Sequence, residues 1–431
     1  NQAVGIRSAT RIYFGKEPNE LKIEESAMLV GMLKNSSYFN PLRRKNLVHQ
    51  RRNVVLKQME KNTFLSTQQK DSLQKLPLEI NYTPESHSDG YATYFREYLR
   101  EYLKQWVKTN PKPNGEQYNI YADGLKVYVT IDSRMQKYAE EAVKDHISNL
   151  QSYFSTEQKS NKTAPFYDLE PEQIEMILTR AKKNSDRWRE MKRLGTPEEE
   201  IEASFLRKTK MKIFTWKGDR DKLMTPADSI KYYKYFLHSG LMSMEPQTGH
   251  IKAWVGGINN KHFKYDHVEQ GRRQVGSTFK PFVYATAINQ LKLSPCDTYP
   301  IAPYTIPKGK HGNMDSWTPR NSGDNPLRYK GELSLKEGLA NSVNTMSARL
   351  IDMVGPKNVS RLAAVSLGIT RTIPETPAIA LGTVELSLYE MVSAYAMFAN
   401  KGLRVEPMMI TRIEDKNGTV LTQFTPKTQE I

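Results

Sequence analysis

The sequence predicts a mixed α/β chain of the α+β kind, with an all-helical N-terminal portion followed by a larger domain that combines strands and helices. Three observations carry this. Residues 1–65 read as helices, with Ala27, Leu29 and Leu33 forming an apolar pattern beside the acidic pair Glu24 and Glu25. Residues 125–132, Leu-Lys-Val-Tyr-Val-Thr-Ile-Asp, alternate at period two as a half-buried strand does. Residues 241–245 and 250–255 are apolar runs separated by Pro246-Gln247-Thr248-Gly249, the pattern of a hairpin. A chain of 431 residues has room for two or more domains and a sizeable core.

The remaining elements follow in order. Residues 81–119 are polar and punctuated by prolines around one helix at 91–107, which suits a linker. After the strand at 125–132, residues 135–150 form an amphipathic helix. The stretch 150–235 is rich in charge and reads as a helical insertion. Thr196-Pro197-Glu198-Glu199 and Thr225-Pro226-Ala227-Asp228 both look like helix starts, with proline at the first helical position. The run from Lys231 to Phe236 mixes aromatic and basic residues; at helical spacing its tyrosines pack against the domain. Asn417-Gly418-Thr419 reads as a hairpin turn near the end.

The formal net charge of +16 points to an anionic partner such as nucleic acid, a membrane surface or a pyrophosphate-bearing lipid. Nucleic acid is disfavoured, because the basic residues are spread and no helix-turn-helix, zinc or RNA-binding signature is present. One cysteine, Cys296, excludes an internal disulfide; its neighbours Ser294-Pro295 and Asp297 suggest a turn. The eight histidines show no metal spacing, and His262 and His267 are expected to be solvated. Arg51 and Arg52 are expected to present a basic helix face, toward an anionic glycan lipid rather than to chemistry. Glu24 and Glu25 fit a helix surface better than an acid/base pair.

Chemistry concentrates in two short clusters. Gly276-Ser277-Thr278-Phe279-Lys280-Pro281 places a lysine three residues after a serine, on the same face if a helix begins at Ser277. A serine hydroxyl needs a base within reach, and desolvation lowers a lysine pKa enough to provide one. A helix N-terminus also favours an oxygen that is becoming negative. The pattern alone is weak, since Ser72 and Lys75 repeat it on an ordinary surface helix. The second cluster, Ser342-Val343-Asn344, contains the only Ser-x-Asn in the chain and follows the first, which shifts the balance.

Ser-x-x-Lys, Ser-x-Asn and Lys-Thr-Gly together are the constellation of penicillin-binding proteins and class A β-lactamases. The flanks choose between them. Arg273-Gln274-Val275-Gly276-Ser277-Thr278-Phe279-Lys280-Pro281-Phe282 resembles the nucleophile segment of bifunctional, class A penicillin-binding proteins. Trp317-Thr318-Pro319-Arg320-Asn321 and residues 335–344 are similar to that family's approach to its second motif. Residues 381–388 and 394–402 resemble its later helical segment. Residues 3–16, 21–34 and 38–41 resemble the last third of the lysozyme-like glycosyltransferase domain that precedes the transpeptidase.

The resemblance implies three segments. Residues 1–65 would be the C-terminal part of the glycosyltransferase, 66–124 the interdomain linker, and 125–431 the penicillin-binding transpeptidase domain with its insertion at about 150–235. The fold implied is a serine transpeptidase/β-lactamase-like one, an antiparallel sheet with helices on both faces. The activity implied is peptidoglycan synthesis. Ser277 forms an acyl-enzyme with stem peptides ending in D-Ala-D-Ala, and the parent protein also polymerises lipid II into glycan strands. Lys280 would be the base for Ser277, Ser342 would pass a proton to the leaving D-alanine, and Asn344 would orient Lys280 and the substrate amide. β-Lactams would acylate the same serine. Transpeptidation needs no cofactor, while the glycosyltransferase site admits a divalent metal. The location implied is the bacterial cell membrane, with catalytic domains on the outer, periplasmic side and an anchor in an N-terminal segment.

The chain also departs from the pattern. The only late candidate for the third motif is Lys427-Thr428-Gln429, with glutamine where glycine belongs. It is read as a decoy, with the true motif expected beyond residue 431 and the glycosyltransferase glutamates upstream of residue 1. A D,D-carboxypeptidase, which differs only in using water as acceptor, and a non-catalytic glycan- or partner-binding scaffold stay open beside the transpeptidase. A β-lactamase-like hydrolase is disfavoured by the glycosyltransferase-like opening.

Overall fold

The computed structural model describes residues 3, 5–83, 90–323, 329–369 and 371–431. Residues 84–89 of the linker lie outside them. The chain divides into two compact units, one of residues 1–90, 100–127 and 412–422, the other of residues 91–99, 128–411 and 423–431. Among the described residues, no helix is long and apolar enough to cross a membrane.

The first unit opens with the helices Ile6–Phe14, Ile23–Met32, Lys45–Lys61 and Thr67–Lys75. Ile12, Phe14, Met28, Met32 and Val48 form one core, and Ala27, Leu56 and Leu65 a second. Glu25 accepts from the backbone N–H of Lys22 at 2.8 Å and pairs with the Lys16 ammonium at 2.8 Å. It therefore caps its own helix, where an acidic group meets the positive end of the peptide dipoles. Ser72 and Lys75 lie exposed on Thr67–Lys75, as a surface helix requires.

Arg52 corrects the expectation of a basic face. Its side chain is 1% exposed, and its guanidinium donates to the carbonyls of Leu73, Gln74, Leu76 and Pro77 at 2.8–3.3 Å. These carbonyls belong to the end of Thr67–Lys75 and the turn after it, where a helix runs out of internal donors. The planar fork of arginine meets several of them at once. Arg51 is half-buried, with its guanidinium 5.7 Å from the centre of the Phe39 ring. Both side chains are used internally rather than toward solvent.

In the second unit the hairpin pairs Leu241–Met244 with Ile251–Val255, matching Leu241 to Val255 and Met242 to Trp254. The predicted strand is shorter than its pattern, Lys126–Val129, because Asp132 turns to cap the next helix by accepting from Arg134 and Met135 N–H groups. That helix, Ser133–Glu157, outruns its predicted end by seven residues. It docks on the hairpin through Gln136, whose amide both donates to Trp254 O (2.9 Å) and accepts from Trp254 N (2.7 Å). The buried hydroxyl of Thr130 donates to Ile251 O and Met408 O. Further antiparallel pairs join Arg272–Gln274 to Glu385–Ser387, Thr298–Pro300 to Glu332–Ser334, and Leu403–Val405 to Thr428–Glu430.

The insertion is not wholly helical. Helices Pro171–Lys183, Asp186–Arg193 and Glu198–Leu206 are followed by a two-stranded ribbon, Thr209–Ile213 with Arg220–Met224, and then by Pro226–Lys234. The first ribbon strand, Thr-Lys-Met-Lys-Ile, does alternate at period two, but it is only five residues long in a charge-rich stretch, and its partner Arg-Asp-Lys-Leu-Met does not alternate. Thr225 caps its helix as expected, accepting from Asp228 N at 3.0 Å. Thr196 does not: Pro197 takes the cap position and no side chain caps Glu198–Leu206. The aromatic run packs inward, with Tyr232 donating to Phe214 O at 2.7 Å and Phe236 stacked edge-on against Phe214. His262 also packs inward, 2.8 Å from an Asp219 carboxylate oxygen and 3.2 Å from the Tyr233 hydroxyl, and His267 stacks on His238. Neither is the solvated histidine expected. Cys296 is exposed in the turn where Ser294 N donates to Asp297.

Replacing Arg52 with Leu strands several carbonyls, so stability is expected to fall by about 2–3 kcal/mol in denaturant unfolding, with Arg51→Ala costing about 1 kcal/mol or less.

Candidate active site

Residues Gly276–Phe279 form one turn of 3₁₀ helix that runs directly into the helix Lys280–Leu291. Ser277 sits in that first turn, so the three-residue spacing does bring it and Lys280 to one face. Pro281 occupies a first-turn position, where the missing N–H costs nothing. Phe279, Phe282, Val283 and Ala287 face inward and are fully buried. They meet Met346, Leu350 and Ile351 of the helix Asn344–Val354 in the largest core of the unit. Each such side chain contributes about 1.5–3 kcal/mol by leaving water. The two motif-bearing helices are thus packed against each other, and their N-terminal ends converge.

At that convergence lies Lys280, 1% exposed. Its ammonium donates to Ser342 O at 2.6 Å, Ser342 Oγ at 2.9 Å and Asn344 Oδ1 at 2.6 Å. Three protons meet three oxygens, none of them a carboxylate. Burial without a counter-ion pulls the Lys280 pKa down from 10.5 to about 8. At pH 7 roughly one lysine in ten is then the free amine, against roughly one in three thousand at the ordinary value. Ser277, in the turn before Lys280, is exposed, and its hydroxyl makes no hydrogen bond among the described residues.

Two backbone features hold the site. Ser342 takes a left-handed conformation, φ 54°, which turns its carbonyl toward Lys280. A non-glycine residue there carries strain of about 1 kcal/mol or more, and the surrounding bonds hold it: Ser342 N to Leu339 O at 3.0 Å and Val343 N to Gly338 O at 2.9 Å. The serine turn is braced on the segment 382–387. Val275 N donates to Val384 O and Gly276 N to Gly382 O, continuing the strand pairing of Arg272–Gln274. That segment, expected to be helical, is the strand Glu385–Ser387 followed by the helix Leu388–Ala399. From the latter, Tyr395 donates to Thr278 O at 2.7 Å.

Of the predicted quartet, Lys280, Ser342 and Asn344 are in direct contact, while Ser277 sits in the turn that precedes Lys280 and its hydroxyl bonds to none of them. Lys427-Thr428-Gln429 is not part of it. Lys427 is exposed and sits 3.7 Å from Glu406 in an ion pair, and none of its bonds reaches the quartet. A cavity of about 1110 Å³ runs beside Gln274, Thr278, Met391 and Tyr395, and the quartet's own side chains do not line it. One participant lacked an assigned role at the level of sequence. Asn321, 8% exposed, accepts from the backbone N–H groups of Asn344 (2.9 Å) and Thr345 (3.1 Å), and the carbonyl of Arg320 accepts from Asn344 Nδ2 at 2.7 Å. Its signal was present in Trp317-Thr318-Pro319-Arg320-Asn321, but the spacing gave no hint of the partner.

Residues 240–431 match the penicillin binding protein transpeptidase domain, residues 1–60 the transglycosylase, and residues 161–237 the penicillin-binding protein middle domain. The chain belongs to the class A penicillin-binding proteins. Curated relatives include penicillin-binding protein 1A of Aquifex aeolicus, 27% identical over all of this chain and 56% of that protein. Penicillin-binding protein 1A of Escherichia coli is 27% identical over 99% of this chain and 52% of its own length. The crystal structure of penicillin-binding protein 1A from Haemophilus influenzae aligns with a TM-score of 0.61 at 25% identity, covering 99% of this chain and 63% of that one. The chain thus spans about half the length of the curated relatives it matches. Its fold class is the transpeptidase one, mixed helix and antiparallel sheet, with a helical N-terminal part.

The close approach at the serine turn is testable. A Cβ on Gly382 would lie 1.9 Å from Gly276 O, at a φ of +71°. Gly309 has a similar φ of +83° but open space around it. Gly382→Ala is expected to destabilise by about 3 kcal/mol or more, and Gly309→Ala by only about 1 kcal/mol, in paired unfolding measurements.

Proposed function

We propose that the protein is a serine D,D-transpeptidase of peptidoglycan synthesis, and that the whole protein also extends glycan strands by glycosyl transfer from lipid II. The observation that carries the first part is the Lys280 ammonium, buried without a counter-ion and held by Ser342 and Asn344 three residues after Ser277. The second part is supported by the transglycosylase match over residues 1–60. The site works at the outer face of a bacterial cell membrane.

The chemistry follows from the donors and acceptors. When Lys280 loses a proton, its nitrogen gains a lone pair and keeps two N–H bonds for the oxygens around it. The lone pair takes the proton of Ser277, whose Oγ attacks the carbonyl carbon of the penultimate D-alanine. The Ser277 turn opens a helix, so peptide dipoles favour the oxyanion that forms. Ser342 Oγ, 2.9 Å from the Lys280 nitrogen, is placed to hand a proton to the departing amine of the terminal D-alanine. The acyl-enzyme is then released by an amine of a neighbouring stem peptide. A β-lactam, whose amide occupies the same position, acylates Ser277 and stays.

A fluorescent penicillin is expected to label the full-length protein at Ser277, as read by peptide mapping, and Ser277→Ala is expected to abolish the label. Lys280→Arg should be almost as damaging as Lys280→Ala, since a guanidinium stays protonated. Labelling that survives Ser277→Ala, or maps to Ser72, overturns the reading. The pH dependence has a definite sign. The amine is the active form, so the acylation rate rises as pH climbs through about 8 and levels off above it.

A further inference from the structure

We propose that Asn321 is a positioning residue for this site, acting through Asn344 on Lys280. The proposal rests on the acyl-transfer reading above. The helix Asn344–Val354 has no capping side chain of its own, because its cap position is Val343. Asn321, far away in sequence, supplies the cap: one carbonyl oxygen, Oδ1, accepts from the N–H groups of both Asn344 and Thr345. The other end of the same amide, Nδ2, donates to the buried Thr345 hydroxyl at 3.3 Å, and that hydroxyl donates to Ile301 O at 3.0 Å. Asn321 N in turn donates to the Tyr329 hydroxyl at 2.9 Å. From Nδ2 through the Thr345 hydroxyl to Ile301 O the donation runs in one sense.

The same strand of backbone settles which way the Asn344 amide points. Lysine offers only donors and a carbonyl only an acceptor. With Arg320 O on one side and the Lys280 ammonium on the other, one orientation satisfies both: NH₂ toward Arg320 and oxygen toward Lys280. The flipped amide would set two donors against each other and two acceptors against each other. Arg320-Asn321 thus holds the backbone of Asn344 through the cap and its side chain through the carbonyl. The oxygen that helps solvate the buried ammonium has one place to be, and the lysine nitrogen is fixed with it. The bonds of Asn321 described above go to the backbone of Asn344 and to Thr345 and Tyr329, so its effect on Lys280 passes through Asn344.

Acylation of the full-length protein by a fluorescent penicillin, measured from about pH 6 to pH 10 alongside a thermal melt, tests this. Asn321→Ala is expected to slow acylation by on the order of 10- to 100-fold, as a small misplacement of reacting groups does. It is also expected to move the midpoint of the pH profile below about 8, because the ammonium loses a well-placed acceptor. Asn321→Asp keeps an oxygen for the two N–H groups, and is expected to restore the rate measured well above the midpoint to within about threefold, while its negative charge moves the midpoint up, opposite in sign to alanine. An alanine variant that folds and keeps the parental rate and midpoint overturns the proposal. So does one whose melting temperature falls while its pH midpoint stays, which marks a merely structural cap. Should the alanine variant not fold, the aspartate variant decides alone, and a tenfold loss of that rate in folded protein counts against the proposal. Labelling that persists in Ser277→Ala would instead sink the acyl-transfer reading itself.

Discussion

An ammonium buried without an anion is the constraint around which the second unit is arranged. Lys280 gives up its hydration and receives three neutral oxygens instead. A carboxylate in their place would hold the proton and raise the pKa, and an apolar pocket would expel the charge. Neutral oxygens lie between, leaving a nitrogen that carries a proton part of the time. The packing of Lys280–Leu291 against Asn344–Val354 is what brings the donor and its acceptors within 3 Å, so the hydrophobic core and the site chemistry are one construction.

Some of the backbone strain falls in the same place. Ser342 is held at positive φ, and Gly382 lies so close to the Gly276 backbone that a methyl group on Gly382 has no room, whereas one on Gly276 would meet open space. Local bonds on both sides hold these conformations, as a strained functional residue requires. The serine turn is braced by backbone pairing to 382–387 and by the Tyr395 hydroxyl. Ser277, the proposed nucleophile, is exposed and its hydroxyl is without a hydrogen-bond partner among the described residues. A hydroxyl that must bond to substrate gains nothing from a protein partner that would compete.

Charge is used unevenly along the chain. The excess of 63 lysines and arginines over 47 acidic residues suggests a surface made for an anion, yet Arg52 is spent on carbonyls inside the first unit. Likewise the aromatic-basic run of the insertion turns its rings inward against Phe214 and Phe263. Composition marks which groups are abundant, while burial decides what each one does. In the class A penicillin-binding proteins matched here, residues 161–237 are a middle domain in their own right.

Much of this was legible in the sequence by itself. The helical opening, the hairpin at 241–255 and the placing of Ser277 one turn before Lys280 rest on local periodicity and spacing, which the chain carries wherever it folds. The second cluster was legible because Ser342-Val343-Asn344 is the only one of its kind, and the flanking segments pointed to the family. Tertiary structure decided the rest. The ribbon at 209–224 escaped notice because the alternation of Thr-Lys-Met-Lys-Ile lasts only five residues and its partner strand, Arg-Asp-Lys-Leu-Met, has none. Arg52 could not be placed, since its partners lie more than twenty residues away. Asn321 was visible as a residue and invisible as a cap, because a cap is normally sought beside the helix it serves. Long-range hydrogen bonds leave no spacing in the sequence, and only the folded chain shows which carbonyl each donor has found.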